Sequence, residues 1–198
     1  MRQFNSLTIE QYNNKRGLTL AELLIAICIF SLIVIGFSSI DTFSRYHVIT
    51  SDRRAKLQND ASYALEHMTK NVLQGVGNIS QPPLEPIANG FRVRVDLNTP
   101  PTPAILTDDT WINYTLSGNT LSCSLNNETL STFIVSGVVF GQMPSNPGNG
   151  FYINFTDNNY TLIEIGLVAR YQPNNPISVD NLQITMKTRL YTSGSAAR

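Results

Sequence analysis

The sequence predicts an α+β protein. A long N-terminal α-helix, transmembrane in its first half and amphipathic in its second, packs on a C-terminal antiparallel β-sheet domain. Three observations predict it. Residues 18–40, LTLAELLIAICIFSLIVIGFSSI, are an apolar run with one carboxylate, Glu22, near its start. Leu57, Ala61, Ala64, Leu65, Met68, Val72 and Val76 then recur at intervals of three and four, the helical period. From Phe91 onward the apolar period changes to two, the strand period.

Residues 1–17 are polar, carry Arg2, Glu10, Lys15 and Arg16, and show no periodicity; they read as a disordered leader peptide. Residues 18–40, as a helix about 35 Å long, exceed a bilayer core of roughly 30 Å. A secretory signal has a shorter apolar core followed by a small-residue cleavage site, and neither is found here. A buried core helix is seldom apolar on all faces over this length. The run therefore reads as a transmembrane helix. Lys15 and Arg16 directly precede it, which puts the N-terminus in the cytoplasm and the remainder outside. A carboxylate inside such a run is costly and by default functional, so Glu22 needs a partner. Gly36, with Ser38 and Ser39 nearby, marks a point where the helix can bend.

Residues 41–78 continue as an amphipathic helix. Asp52/Lys56, Lys56/Asp60 and Glu66/Lys70 fall at i, i+4 on its other faces. The pattern fades at Gly75-Val76-Gly77-Asn78, which reads as the helix end. Residues 79–90, with Pro82, Pro83 and Pro86, read as a linker. Residues 91–192 read as the β-sheet domain. Phe91–Leu97 alternates. Trp111–Leu116 and Asn119–Leu125 form a hairpin around Ser117-Gly118. Thr132–Phe140 is a more uniformly apolar strand buried on both faces. Phe151–Phe155, Tyr160–Tyr171 and Leu182–Leu190 follow. Residues 193–198 are small and polar and read as a disordered tail.

Composition excludes several functions. The chain has 198 residues, 14 bases and 14 acids; charged residues make up 14%, against about 25% in an average soluble protein. That gives no electrostatic case for nucleic acid. Cys28 lies in the apolar run and Cys123 among strand residues, so no intrachain disulfide is expected, and Cys123 reads as a small buried hydrophobe. His47 and His67 read as surface or packing residues, with no acidic or thiol partner at ligand spacing. Thr107-Asp108-Asp109 and Thr156-Asp157-Asn158-Asn159 offer oxygens for calcium, but turn chemistry accounts for them more simply. Arg53, Arg54 and Lys56 read as a solvated helix face rather than a lipid or DNA contact. No nucleophile–base–acid order, phosphate loop or Gly-rich dinucleotide loop is present, so the chain does not read as an enzyme. No metal, cofactor or small-molecule substrate is expected.

Lys15-Arg16-Gly17 before Leu18-Thr19-Leu20-Ala21-Glu22-Leu23-Leu24 resembles the N-terminal signal of type IV pilins and type II secretion pseudopilins. The layout that follows is also similar to theirs, so the resemblance implies a pilin-like fold. Two departures stand out. Leu18 occupies a position where phenylalanine is commonest, and Ser39 one where proline is frequent. The resemblance implies that a prepilin peptidase cuts between Gly17 and Leu18 and that the new amine of Leu18 is N-methylated. Loss of residues 1–17 would leave the mature chain with two more acids than bases. Glu22 would then neutralise the N-terminal ammonium of an adjacent subunit during filament assembly. Other pilins or pseudopilins and the inner membrane are the implied partners.

Arg53–Val76 and Ile184–Tyr191 resemble the J-type pseudopilin and W-type minor pilin branch. Their K-type partner, which caps the tip, usually lacks the glutamate, so retention of Glu22 implies a position other than the cap. The sequence thus reads as a minor pilin or pseudopilin of a type IV pilus or type II secretion pseudopilus. Two alternatives stand beside it. One is a filament-borne binding module for DNA uptake or adhesion, using loops 142–150, 156–160 and 172–176. The other is an uncleaved single-pass anchored domain.

Overall fold

The computed structural model describes residues 17–102, 105–141, 150–157 and 161–192. Most of the leader, Lys15 and Arg16, the tail 193–198, and much of loops 142–150 and 156–160 lie outside the described residues. The chain divides into two compact units, Met1–His47 and Val48–Arg198.

A single helix, α1, runs from Leu20 to Leu73. Its N-terminal part, in the first unit, is exposed on every face. In the second unit its buried residues are Leu57, Ala61, Ala64, Leu65, Met68, Asn71 and Val72. That is the expected apolar stripe with one polar addition, Asn71, and without Val76. Sealing each large aliphatic contributes about 1.5–3 kcal/mol. The helix ends before the glycines. Gln74 and Gly75 donate to the carbonyls of Asn71 and Val72, three residues back, and tighten the last turn. Gly75 then bridges to Val95, and Val76 donates to the Arg94 carbonyl, so the segment has already joined a sheet.

The strands form two sheets, where the sequence implies one. The first is antiparallel, in the order β1 (Leu84–Ile87), β2 (Gly90–Val95), β3 (Thr110–Ser117), β4 (Thr120–Cys123) and β5 (Glu128–Ser131). The second has the order β6 (Val138–Phe140), β7 (Phe151–Phe155), β8 (Leu162–Arg170) and β9 (Gln183–Tyr191). It is mixed, because β6 pairs with β7 in parallel. Leu57, Met68, Phe91, Tyr114, Phe151 and Ile165 belong to one core shared by the helix stripe and both sheets.

Five expectations need correcting. Residues 79–90 are not all linker: Leu84–Ile87 is an edge strand, and Pro86 is tolerated there because an edge strand need not donate on its outer side. The β3–β4 turn centres one residue later than expected. Gly118 takes φ 58°, a left-handed conformation that glycine adopts without a Cβ clash. Thr132–Phe140 is not one buried strand. Its strand is Val138–Phe140, half-buried to exposed, and Ile134 makes an isolated antiparallel bridge to Ala169. The Ile134 N–H donates to the Asn119 carbonyl and the Ile134 carbonyl accepts from Asn119 Nδ2, while Val135 donates to the Val168 carbonyl, so the apolar run ties the first sheet to the second. Gly150 makes this crossing possible, since a Cβ there would lie 1.4 Å from the Val135 carbonyl oxygen. Finally, Arg53 and Lys56 are not simply solvated. Arg53 donates to the Asp180 carbonyl at 2.7 Å and lies over the Tyr171 ring, and Lys56 lies over Phe133. The i, i+4 ion pair closed on α1 among the described residues is Arg45–Asp41, not the three expected.

Candidate functional site

The segment from Gly17 to Glu22 is open. Nothing lies within 4 Å of where a Gly17 Cβ would stand, and Leu18 is 76% exposed. The bond between them is therefore sterically accessible within the described chain. Lys15 and Arg16, the expected basic flank, lie outside the described residues.

Thr19 is the residue before α1, and Glu22 is the third residue within it. The Thr19 N–H donates to Glu22 Oε2 at 2.9 Å, and the Thr19 hydroxyl donates to the same oxygen at 3.0 Å. In return the Glu22 N–H lies 3.2 Å from Thr19 Oγ1. Leu23 donates to the Thr19 carbonyl, which opens the helical ladder. This is a capping box, in which two helix-end donors are satisfied reciprocally. The carboxylate also sits at the positive end of the helix dipole. The sequence reading assigns Glu22 a partner only on another chain. The Thr-x-x-Glu spacing ahead of an apolar run is the signal for this local one. Both bonds go to Oε2, so Oε1 takes no part in the cap.

Behind the cap, α1 is long and apolar enough to cross a membrane. Four hydroxyls in and just after the apolar run are satisfied within the helix. Ser31, Ser38, Ser39 and Thr42 each donate to the carbonyl four residues back, at 2.8–2.9 Å. Such internal pairing is what hydrocarbon demands of a polar group. Gly36 lies within this continuous helix and does not interrupt it.

A polar cluster in the second unit joins α1 to the first sheet. Asn71 Nδ2 donates to Tyr114 Oη at 2.6 Å, and His67 Nδ1 is 3.1 Å from the same oxygen. His67 Nε2 is 3.3 Å from Glu128 Oε2, and the Tyr63 hydroxyl donates to Glu128 Oε1. His67 thus has the acidic partner that the linear spacing does not show, because Glu128 arrives through the sheet. Burial pushes the Tyr114 hydroxyl and the Cys123 thiol up from their ordinary values. Cys28 and Cys123 are both free. This cluster fastens helix to sheet, and among the described residues no three His, Cys, Asp or Glu side chains are grouped to hold a metal.

The two candidate calcium stretches behave differently from each other. Asp157 accepts from the N–H groups of Thr161 and Leu162 and from the Thr161 hydroxyl. Burial works against its charge, yet those hydrogen bonds prevail and hold its carboxyl below the usual range. That is turn chemistry, as expected. Asp108 accepts from the Thr102 hydroxyl. Among the described residues both Asp109 carboxylate oxygens are buried without a hydrogen-bond partner, and burial pushes this carboxyl up, with Asp96 and Asp108 adding repulsion.

Residues 12–38 match the family model of the prokaryotic N-terminal methylation motif. The matched stretch contains Gly17, Leu18, the Thr19–Glu22 cap and most of the apolar run. No curated protein and no solved structure matches the chain. The motif supports a type IV pilin-like protein that is processed by prepilin peptidase and assembles with other pilins, anchored through its apolar helix.

Proposed function

We propose that the chain is a minor pilin or pseudopilin, a structural subunit of a type IV pilus or type II secretion pseudopilus. It acts by incorporation rather than by catalysis. The observation that carries this reading is the placement of the capped glutamate. An accessible Gly17–Leu18 bond lies inside a methylation motif, and Glu22 follows one turn later at the head of an apolar helix.

Cutting at Gly17 creates an ammonium at Leu18, which is then N-methylated. A new cation at the membrane face needs an anion as the helix is drawn into a filament. Glu22 meets that need without surrendering its cap. Oε2 holds Thr19, and Oε1 is left to accept from the Leu18 amine of an adjacent subunit. The glutamate therefore both starts its own helix and receives a neighbour. In this reading the N-terminus is cytoplasmic before assembly and the Val48–Arg198 unit lies beyond the membrane. Retention of Glu22 supports a position below the tip cap in this reading, and the resemblance of the Arg53–Val76 and Ile184–Tyr191 stretches supports the J-type and W-type branch.

Mass spectrometry of the chain from cells carrying a prepilin peptidase tests the reading. The expected mature start is N-methylated Leu18. An intact leader would instead select a plain membrane-anchored domain.

A further inference from the structure

The loop between β8 and β9, residues 171–182, is exposed at its tip yet tightly braced. Asn181 is its buried hub. Asn181 Nδ2 donates to the carbonyls of Gln172, Asn175 and Pro176 at 3.0–3.2 Å, and Oδ1 accepts from the Gln172 N–H at 2.7 Å. Arg170 donates to the carbonyls of Pro173 and Asn175. From α1, Arg53 donates to the Asp180 carbonyl and lies over Tyr171, which stacks on Phe133. The tip that this bracing holds out is apolar: Ile177 is 60% exposed and Val179 is 69% exposed. A backbone so fully tied cannot fold those side chains inward, so they are fixed for contact with something outside the chain.

The attachment to Arg53 identifies what lies nearest. With the capped Glu22 at the polar face, hydrocarbon begins at Leu23, and a core of roughly 30 Å is filled at about Thr42. Phe43 and Tyr46, both exposed, then fall at headgroup level, where aromatic belts sit. Val48 and Ile49, also exposed, follow at its outer margin. Arg53 stands one turn beyond Ile49, and helical side chains lean back toward the N-terminus. The loop that Arg53 grips is therefore held beside the bilayer surface from which α1 emerges. Arg54 and Lys56, exposed on the same two turns, supply cations at headgroup level.

We propose that the tip Ile177-Ser178-Val179 is a lipid-contact element that enters the headgroup layer of the bilayer anchoring the chain. Apolar area buried at that boundary supplies the affinity. The anchor keeps the lipid within reach at any protein concentration, which a second copy of the chain does not match. The inference rests on membrane anchoring and not on the cut at Gly17, so cut and uncut chains should behave alike.

Full-length chains with Ile177→Cys, Val179→Cys or Ile79→Cys, in a Cys28→Ser, Cys123→Ala background, test it. Each is labelled with an environment-sensitive fluorophore and reconstituted in phosphatidylethanolamine–phosphatidylglycerol vesicles. Ile79 is the control: it is 78% exposed and lies past the Leu73 end of α1, about 30 Å along the axis from Arg53. Labels at 177 and 179 should shift to the blue and be quenched by lipid carrying a nitroxide near the headgroup. The label at 79 should do neither. In unlabelled protein, Ile177→Asp/Val179→Asp should speed hydrogen exchange at 177 and 179 in vesicles and leave the Leu57–Val72 pattern unchanged. The proposal is overturned if 177 and 179 report water as 79 does, or if the aspartate pair exchanges like wild type. It is also overturned if the blue shift fades as the lipid-to-protein ratio rises, which would assign the tip to a protein neighbour.

Discussion

Thr19 and Glu22 cap α1 reciprocally, through bonds of 2.9 Å from the Thr19 N–H to Oε2 and 3.2 Å from the Glu22 N–H to Thr19 Oγ1. A glutamate that stands out in the sequence as an isolated anion is thus part of a helix terminus. Capping and docking become separable roles of one side chain, and substitutions can divide them.

Glutamine retains the reciprocal cap but not the charge. Glu22→Gln is expected to be cut at Gly17–Leu18 and to insert normally, yet to enter sheared filaments poorly. Glu22→Ala should lose both roles and assemble no better. Immunoblots of the sheared fraction and the membrane fraction read the outcome. Wild-type assembly of Glu22→Gln would remove the ion pair from the account.

Gly17→Ala tests the cut site. No atom within 4 Å opposes a Cβ there, so the fold should be unaffected. Uncut chain should accumulate, and more so with valine or leucine at the position, because bulk beside a scissile bond obstructs close backbone approach. Intact mass distinguishes cut from uncut protein directly. Full processing of the bulkier variants would place the specificity elsewhere.

Asn71 tests the joint between helix and sheet. Its amide satisfies the buried Tyr114 hydroxyl, so Asn71→Ala leaves that group short of a donor at a cost of about 1–3 kcal/mol. Removing both partners, with Tyr114→Phe added, should cost less than the two single changes together. Denaturant titration of the full chain in micelles, followed by tyrosine fluorescence, supplies the comparison. Strict additivity would show the two side chains to be uncoupled.

Asp109 should make stability depend on pH. Its folded carboxyl is raised above the ordinary value, first by burial and then by Asp96 and Asp108. The folded state therefore holds the proton more tightly than the unfolded state. Its penalty is present above the folded value and fades as pH falls toward the ordinary aspartate range. Asp109→Asn is expected to raise the melting temperature at pH 7, with the gain shrinking toward pH 4. A gain that stays constant over that range would exclude the titration as its cause.

Much of this was legible in the chain. The stripe from Leu57 to Val72 shows through because helix geometry repeats locally and a buried face must recur every three or four residues. Strands β2, β3, β7 and β9 show through for the same reason at period two. Strand β1 does not, because Pro86 carries the signature of a linker and its pairing with β2 is not encoded within its own four residues. Phe133–Val135 looks like strand core because it is apolar. Its burial comes instead from crossing between the sheets, held by Asn119 and Val168.

The sequence by itself determined the anchor, the motif at Gly17–Leu18 and the anomaly of Glu22, since each depends on residues adjacent along the chain. Only the tertiary structure decided that the strands divide into two sheets and that His67 meets Glu128. It alone made β9 the outer strand of the second sheet among the described residues. These depend on which distant segments become neighbours, and that is set by packing around a shared core, which no local period records.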